Sequence, residues 1–214
     1  SDVCSSDPPS PQQTSLSLAK DTARPRTPVP ARQTNDAPAE APPPRAIADD
    51  VVARALDAVV LVEGPSTASS GFFVSPDLLL TTTRALAGVK SVTVTTAGGA
   101  RTEAAVAAIA PAQDLAVLRL HAPAAIDSAL PLGRGADVGT QSAVAALSRL
   151  SSSQVDVTPA SVTTHSRRGA HEVLELSARL SAQASGGPII DSSGRVVGVV
   201  TDSTEPSVRG FVAV

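Results

Sequence analysis

Ser185 stands directly before Gly186-Gly187-Pro188, a run that turns the chain tightly and projects the serine hydroxyl. A serine hydroxyl is a weak nucleophile until a neighbouring base takes its proton. The titratable residues are therefore the next to weigh. Asp114 sits at the mouth of the apolar run Leu115–Leu120, where its plain role is to cap a strand end. Three histidines, His121, His165 and His171, are the only imidazoles, and each reads as a surface or strand-end residue. Ser185 itself reads either as a nucleophile or as an ordinary turn serine. Cys4 is the only thiol, so no intramolecular disulfide can form. The preceding Ser1, Asp2 and Val3 do not resemble a lipoprotein cleavage site. No cofactor and no metal site are expected.

These residues need elements to hold them. Ten of the 18 prolines lie before residue 45, among Ser, Thr, Gln and Asp. Such a stretch buries too little apolar surface to offset its ordering entropy, so residues 1–46 are expected to be a disordered Pro-rich tail or linker. From Ile47 the texture changes. A short helix is predicted over Val51–Leu56. Then short apolar runs alternate with turn residues. Val59–Val62, Phe72–Ser75, Leu78–Thr82, Val92–Thr95, Ala104–Ile109 and Leu115–Leu120 form a first set of strands. Ser142–Leu147, Val155–Thr164, Val173–Leu176, Ile189–Ile190, Val196–Thr201 and Gly210–Val214 form a second. Regular short strands of this kind predict an all-β sandwich or barrel. The Pro- and Gly-containing segment His121–Gly139 connects the two sets.

Composition narrows the function classes. The chain has 214 residues, enough for one domain with a real core. It has three Phe and neither Trp nor Tyr, so the core must be aliphatic, and Val-rich runs favour strands. The net charge of −3, with no basic stripe, gives nucleic-acid binding no electrostatic support. No run approaches the roughly 18 consecutive apolar residues of a membrane span. Methionine is absent even at position 1, so the chain is expected to be a mature product or a fragment whose targeting segment has gone.

Four segments, in order, resemble the trypsin-like protease domain of the HtrA/Deg family. Ser70-Gly71-Phe72-Phe73-Val74-Ser75-Pro76-Asp77 is similar to that family's Gly-Phe-Ile-Val-Ser-Pro-Asp strand and turn. Leu80-Thr81-Thr82-Thr83-Arg84-Ala85-Leu86 resembles its Leu-Thr-Asn-Asn-His-Val-Val. Asp114-Leu115-Ala116-Val117-Leu118-Arg119-Leu120 resembles its Asp-Leu-Ala-Val-Leu-Lys-Ile. Ser185-Gly186-Gly187-Pro188, followed by Gly194-Arg195-Val196-Val197-Gly198-Val199, resembles its nucleophile loop and the strand after it. Arg209-Gly210-Phe211-Val212-Ala213-Val214 is similar to the closing strand. The match covers about residues 56 to 214.

The resemblance implies two six-stranded antiparallel β-barrels, a chymotrypsin-like fold, over residues 47–214. The first barrel is expected over about 56–121 and the second over about 140–214. No PDZ domain is expected. It also implies a nucleophile at Ser185 and an orienting carboxylate at Asp114. Arg84 stands where the family has its catalytic histidine. Guanidinium stays protonated and has five donors and no acceptor, so it cannot serve as the base. Asp114 is then vestigial, and an Arg84–Asp114 ion pair is expected to replace the old contact. The family's Gly-Asn-Ser reads here as Gln183-Ala184-Ser185, which disturbs the oxyanion hole expected from the N–H groups of Gln183 and Ser185. Ser177 occupies the pocket position where the family often has Asp.

The reading that follows is a catalytically inactive homologue that binds a protein or an extended peptide, or that scaffolds an assembly. The alternative is an active serine endopeptidase with a rearranged site. Family precedent implies a periplasmic or extracellular location, or an organelle of bacterial origin. No nucleic acid and no direct membrane insertion are expected, and the oligomeric state cannot be read.

Overall fold

A computed structural model describes residues 47–124, 129–168, 171–201 and 211–213. The expected tail, residues 1–46, lies outside them. All the described residues belong to one compact unit, Pro42–Val214.

The helix α1 runs over Asp49–Asp57, two residues earlier and one later than the apolar pattern predicted. Asp49 and Asp50 lie in its first turn and Arg54 in its last, the charge order that suits the helix dipole. Arg54 also pairs with Asp50 one turn back, at 3.1 Å.

Twelve strands follow among the described residues. They are β1 Val59–Glu63, β2 Ala68–Ser75, β3 Leu78–Thr82, β4 Ser91–Thr95, β5 Arg101–Ala110 and β6 Leu115–Leu120. Then come β7 Ala143–Arg149, β8 Val155–Arg168, β9 His171–Leu176, β10 Pro188–Ile190, β11 Val196–Thr201 and β12 Phe211–Ala213. The first six close into a barrel in the order β1-β2-β3-β6-β5-β4, and the last six into another, β10-β11-β12-β9-β8-β7. The expected all-β, two-barrel fold is therefore present. Closure removes the exposed edges an open sheet would leave.

Aliphatic residues fill both interiors. In the first barrel Val59, Val60, Val62, Phe72, Phe73, Leu79, Val94 and Leu118 are wholly buried. Two of the three phenylalanines are thus spent side by side in one core. In the second, Val144, Leu174, Leu176, Ile189 and Val197 pack together.

The connector is stitched to both barrels. Leu130 N–H donates to the Phe73 carbonyl at 2.9 Å, Val196 N–H to Pro131 at 2.8 Å and Gly133 N–H to Val196 at 2.7 Å. Segments far apart in sequence are thereby fixed in one register, and the facing ends of β2, β3 and β7 meet the loop before β10.

Candidate functional site

Each chemically suggestive residue is placed by a different element. Thr82 ends β3, and Thr83–Leu86 follows as a 3-10 turn that carries Arg84. Asp114 sits between the 3-10 turn Pro111–Gln113 and β6, in the left-handed conformation at φ 52°. Ser185 closes a further 3-10 turn, Ala182–Ala184, just before β10. The antiparallel pairing of β3 with β6 puts Thr82 opposite Leu115, which brings Asp114 beside Thr83.

Ser185 is buried, with 5% of its surface exposed. Its hydroxyl lies 3.2 Å from the wholly buried Thr82 hydroxyl. The Thr83 hydroxyl donates to the Asp114 carboxylate, and Thr83 N–H donates to the Asp114 carbonyl at 3.3 Å. Two neighbouring threonines thus serve separately the two groups that a single imidazole joins in a serine–histidine–aspartate triad. Arg84 is exposed and makes a contact of its own. The expected Arg84–Asp114 ion pair does not occur among the described residues. The reason is local: a hydroxyl one residue away reaches the carboxylate with a shorter side chain and less entropy to lose.

Arg84, Thr82, Ser185 and Gln183 come together with Thr67, Ala68, Ser69, Ala85 and Ala182 around a cleft of about 230 Å³. Ser177 is not among the residues lining it. Its backbone and hydroxyl instead close β8 against β9. Ser161 N–H donates to the Ser177 hydroxyl at 3.0 Å, and Ser177 N–H donates to the Ser161 carbonyl at 2.9 Å. His165 lies on the β8–β9 ribbon, 3.6 Å from Glu172.

The loop before β10 is held from behind. Ser185 N–H donates to the Ala182 carbonyl at 3.3 Å, and Ala184 N–H to Ser181 at 3.0 Å. The Ser185 carbonyl accepts from Ser70 N–H at 2.9 Å. The Ser70 hydroxyl, wholly buried, donates to the Gln183 carbonyl at 3.3 Å and accepts from Arg149 N–H at 3.0 Å. Gly186 takes φ +83°, and a Cβ there would lie 2.1 Å from the Ser70 carbonyl oxygen. A Cβ on Gly187 would lie equally close to the Leu147 carbonyl. The two glycines are therefore required by backbone approach alone, whatever the serine before them does.

Sequence reasoning missed Ser70 and Arg149. Arg149 ends β7 with only 5% of its surface exposed. Its Nε donates to the Val59 carbonyl at 2.8 Å and one terminal nitrogen to the Leu56 carbonyl, at the end of α1, at 3.3 Å. Burial lowers its pKa from the ordinary arginine value, and the nearby Asp57 carboxylate opposes that shift. The available signal was a charged residue inside the apolar run Ala143–Leu150.

Residues 69–199 match the family model described as a trypsin-like peptidase domain. This chain belongs to that family. Its relatives include the mitochondrial serine protease HTRA2 of Bos taurus, 31% identical over 71% of this chain and 37% of its own length. A serine protease of Mycobacterium tuberculosis is 30% identical over 82% of this chain and 48% of its own. The chain thus spans less than half the length of these relatives. Among solved structures, the HtrA-type protease AlgW with a decapeptide superposes with a TM-score of 0.65 at 21% identity, covering 76% of this chain and 62% of that one.

Proposed function

We propose that this chain is a catalytically inactive trypsin-like serine protease homologue that binds an extended peptide or protein segment in the cleft beside Ser185. One observation carries the reading: the Ser185 hydroxyl pairs with the Thr82 hydroxyl; the family resemblance, which sets Arg84 at the position of the general base, supports it. A neutral hydroxyl does not take a proton from another hydroxyl at neutral pH, and a guanidinium has no lone pair to offer. Losing the base of a triad lowers turnover by about a million-fold. The Ser185 N–H, which an acyl-transfer site would aim at an oxyanion, is used by the Ala182 carbonyl.

Binding can outlive catalysis because it needs shape and backbone partners, not a proton shuttle. The AlgW structure is described with a decapeptide, which supports a peptide as the ligand. Docking through the outer barrel surface, with the Pro-rich segment as an arm, is the scaffolding form of the same proposal. A periplasmic or extracellular location is proposed from the bacterial relative, with an organelle of bacterial origin as the alternative that the mitochondrial relative suggests. The test is hydrolysis of casein and of peptide esters by the purified chain beside its Ser185→Ala variant. Equal, background rates are expected; activity lost only in the variant overturns the proposal.

A further inference from the structure

A second hollow, of about 180 Å³, shares no lining residue with the cleft beside Ser185. Val51 and Ala55 of α1 form one wall, Ala129, Leu130 and Pro131 of the connector form another, and Gly194, in the turn between β10 and β11, closes one end. That closure is tight, since a Cβ on Gly194 would lie 3.1 Å from a Val51 methyl. The one charged lining residue, Arg54, is already paired with Asp50, so the hollow calls for no counter-charge. Leu132, next in the chain after Pro131, is 60% exposed, the most exposed large hydrophobic among the described residues. Apolar surface gathered at one place in this way marks a contact site.

We propose that Pro42-Pro43-Pro44 of this same chain fill the hollow, as a short polyproline rod laid along α1. The segment is delivered to the site. Only Arg45 and Ala46 separate it from Ile47, which is buried just before the helix begins. The compact unit that holds both barrels begins at Pro42. Val51 lies in the first turn of α1, so the hollow opens within about one helical pitch, about 5 Å, of the start of the helix. Three prolines in the polyproline II conformation span about 9 Å, enough to cover the rise of about 6 Å from Val51 to Ala55. The chemistry fits as well. Proline has no N–H, so laying it against an apolar wall strands no donor. Its φ is fixed in advance, so ordering three of them in a row costs little entropy. A tethered ligand also needs little affinity of its own, because its local concentration is about millimolar. The docked prolines brace α1 against the connector and move the first fixed point of the chain from Ile47 to Pro42.

Two measurements on the full chain test this. In amide NMR spectra, the combined Pro42→Ser, Pro43→Ser and Pro44→Ser variant should shift the signals of Val51, Ala55, Ala129 and Gly194 and leave those of β4 and β8 in place. The three changes lie outside both barrels, so folding is not at stake. Ala129→Phe, which fills the hollow, should speed tryptic cleavage after Arg45 at least about fivefold, because cleavage tracks the undocked population, while cleavage after Arg32 stays within about twofold. Should Ala129→Phe unfold the chain, the serine variant decides alone. Shifts that are absent or spread evenly over both barrels, or equal cleavage after Arg45 in the folded Ala129→Phe variant and the unaltered chain, would overturn the proposal. Shifts at the hollow together with a dimeric mass by light scattering would overturn it too, because the prolines seated there would belong to a second copy.

Discussion

The hydroxyls of Thr82 and Ser185 lie 3.2 Å apart across the boundary between the two barrels, each buried, each the other's described partner. In an active serine protease that contact belongs to an imidazole. Here it joins two groups of nearly equal acidity, so no proton is drawn from either. The consequences can be measured one residue at a time.

Arg84→His alone should restore little activity. The Thr82 and Thr83 hydroxyls already occupy the partners an imidazole would need, and the Ser185 N–H faces the Ala182 carbonyl. Casein hydrolysis by this variant should stay within about tenfold of the Ser185→Ala background, against the roughly million-fold a full triad supplies. Robust proteolysis would show that the oxyanion geometry is intact and that Gln183 matters less than its departure from the family pattern suggests.

Gly186→Ala should damage folding far more than Ser185→Ala. The first places a Cβ 2.1 Å from the Ser70 oxygen at φ +83°, a clash with backbone that cannot yield cheaply. A loss of about 3 kcal/mol or more is expected by urea denaturation. The second removes one hydroxyl pair, worth about 1 kcal/mol. The opposite ranking would mean that the Ser-Gly-Gly motif is kept for chemistry and not for the close approach of the barrels.

Ser70→Ala should loosen the loop before β10 selectively. It leaves Arg149 N–H and the Gln183 carbonyl short of a buried partner, a cost of roughly 1–3 kcal/mol. Amide hydrogen exchange at residues 183–187 should quicken more than exchange in β1 or β6. Ser69→Ala is the control, since among the described residues the Ser69 hydroxyl reaches Ser70 and Thr81 within its own barrel. A uniform rise across all strands in Ser70→Ala would indicate simple global destabilisation.

Arg149→Ala should cost roughly 3–5 kcal/mol, because it opens a cavity and strands the Val59 and Leu56 carbonyls together. Arg149→Lys should recover only part of this, since an ammonium cannot address both carbonyls in the geometry of the fork. The lowered pKa implies no switch near neutrality. A cation whose folded pKa lies below its unfolded one opposes folding wherever it is protonated, and relief comes only as pH climbs through the folded pKa. A guanidinium stays protonated at any ordinary pH, so stability between pH 6 and pH 8 should be flat with respect to this residue. Thermal unfolding of the two variants over that range checks both statements.

Much of the fold was legible because its signals are local. β-branched runs broken by turn residues marked strands such as Val59–Val62 and Leu115–Leu120 to within a residue of β1 and β6. Barrel closure was not legible from periodicity and came through the family resemblance, because the pairing of β1 with β4 depends on residues about thirty apart. At the site, Ser185 and Asp114 stood out by motif. Thr82 and Thr83 did not, because threonine in a strand is first of all a good strand former. The Arg84–Asp114 pair was expected from the family resemblance and from the cost of an unpaired carboxylate, and that reasoning passed over the nearer Thr83 hydroxyl. Arg149 escaped because its partners are carbonyls at the end of α1 and the start of β1, about ninety residues away.

The central claim is that Ser185 is not an activated nucleophile. Incubation of the purified chain with a fluorophosphonate, followed by intact-mass measurement, reads this directly, because the reagent phosphonylates, with loss of fluoride, only serines whose proton a base can take. The account predicts unmodified mass after exposure that fully labels an active trypsin-like protease in parallel. A stoichiometric adduct mapped to Ser185, absent from Ser185→Ala, would contradict it.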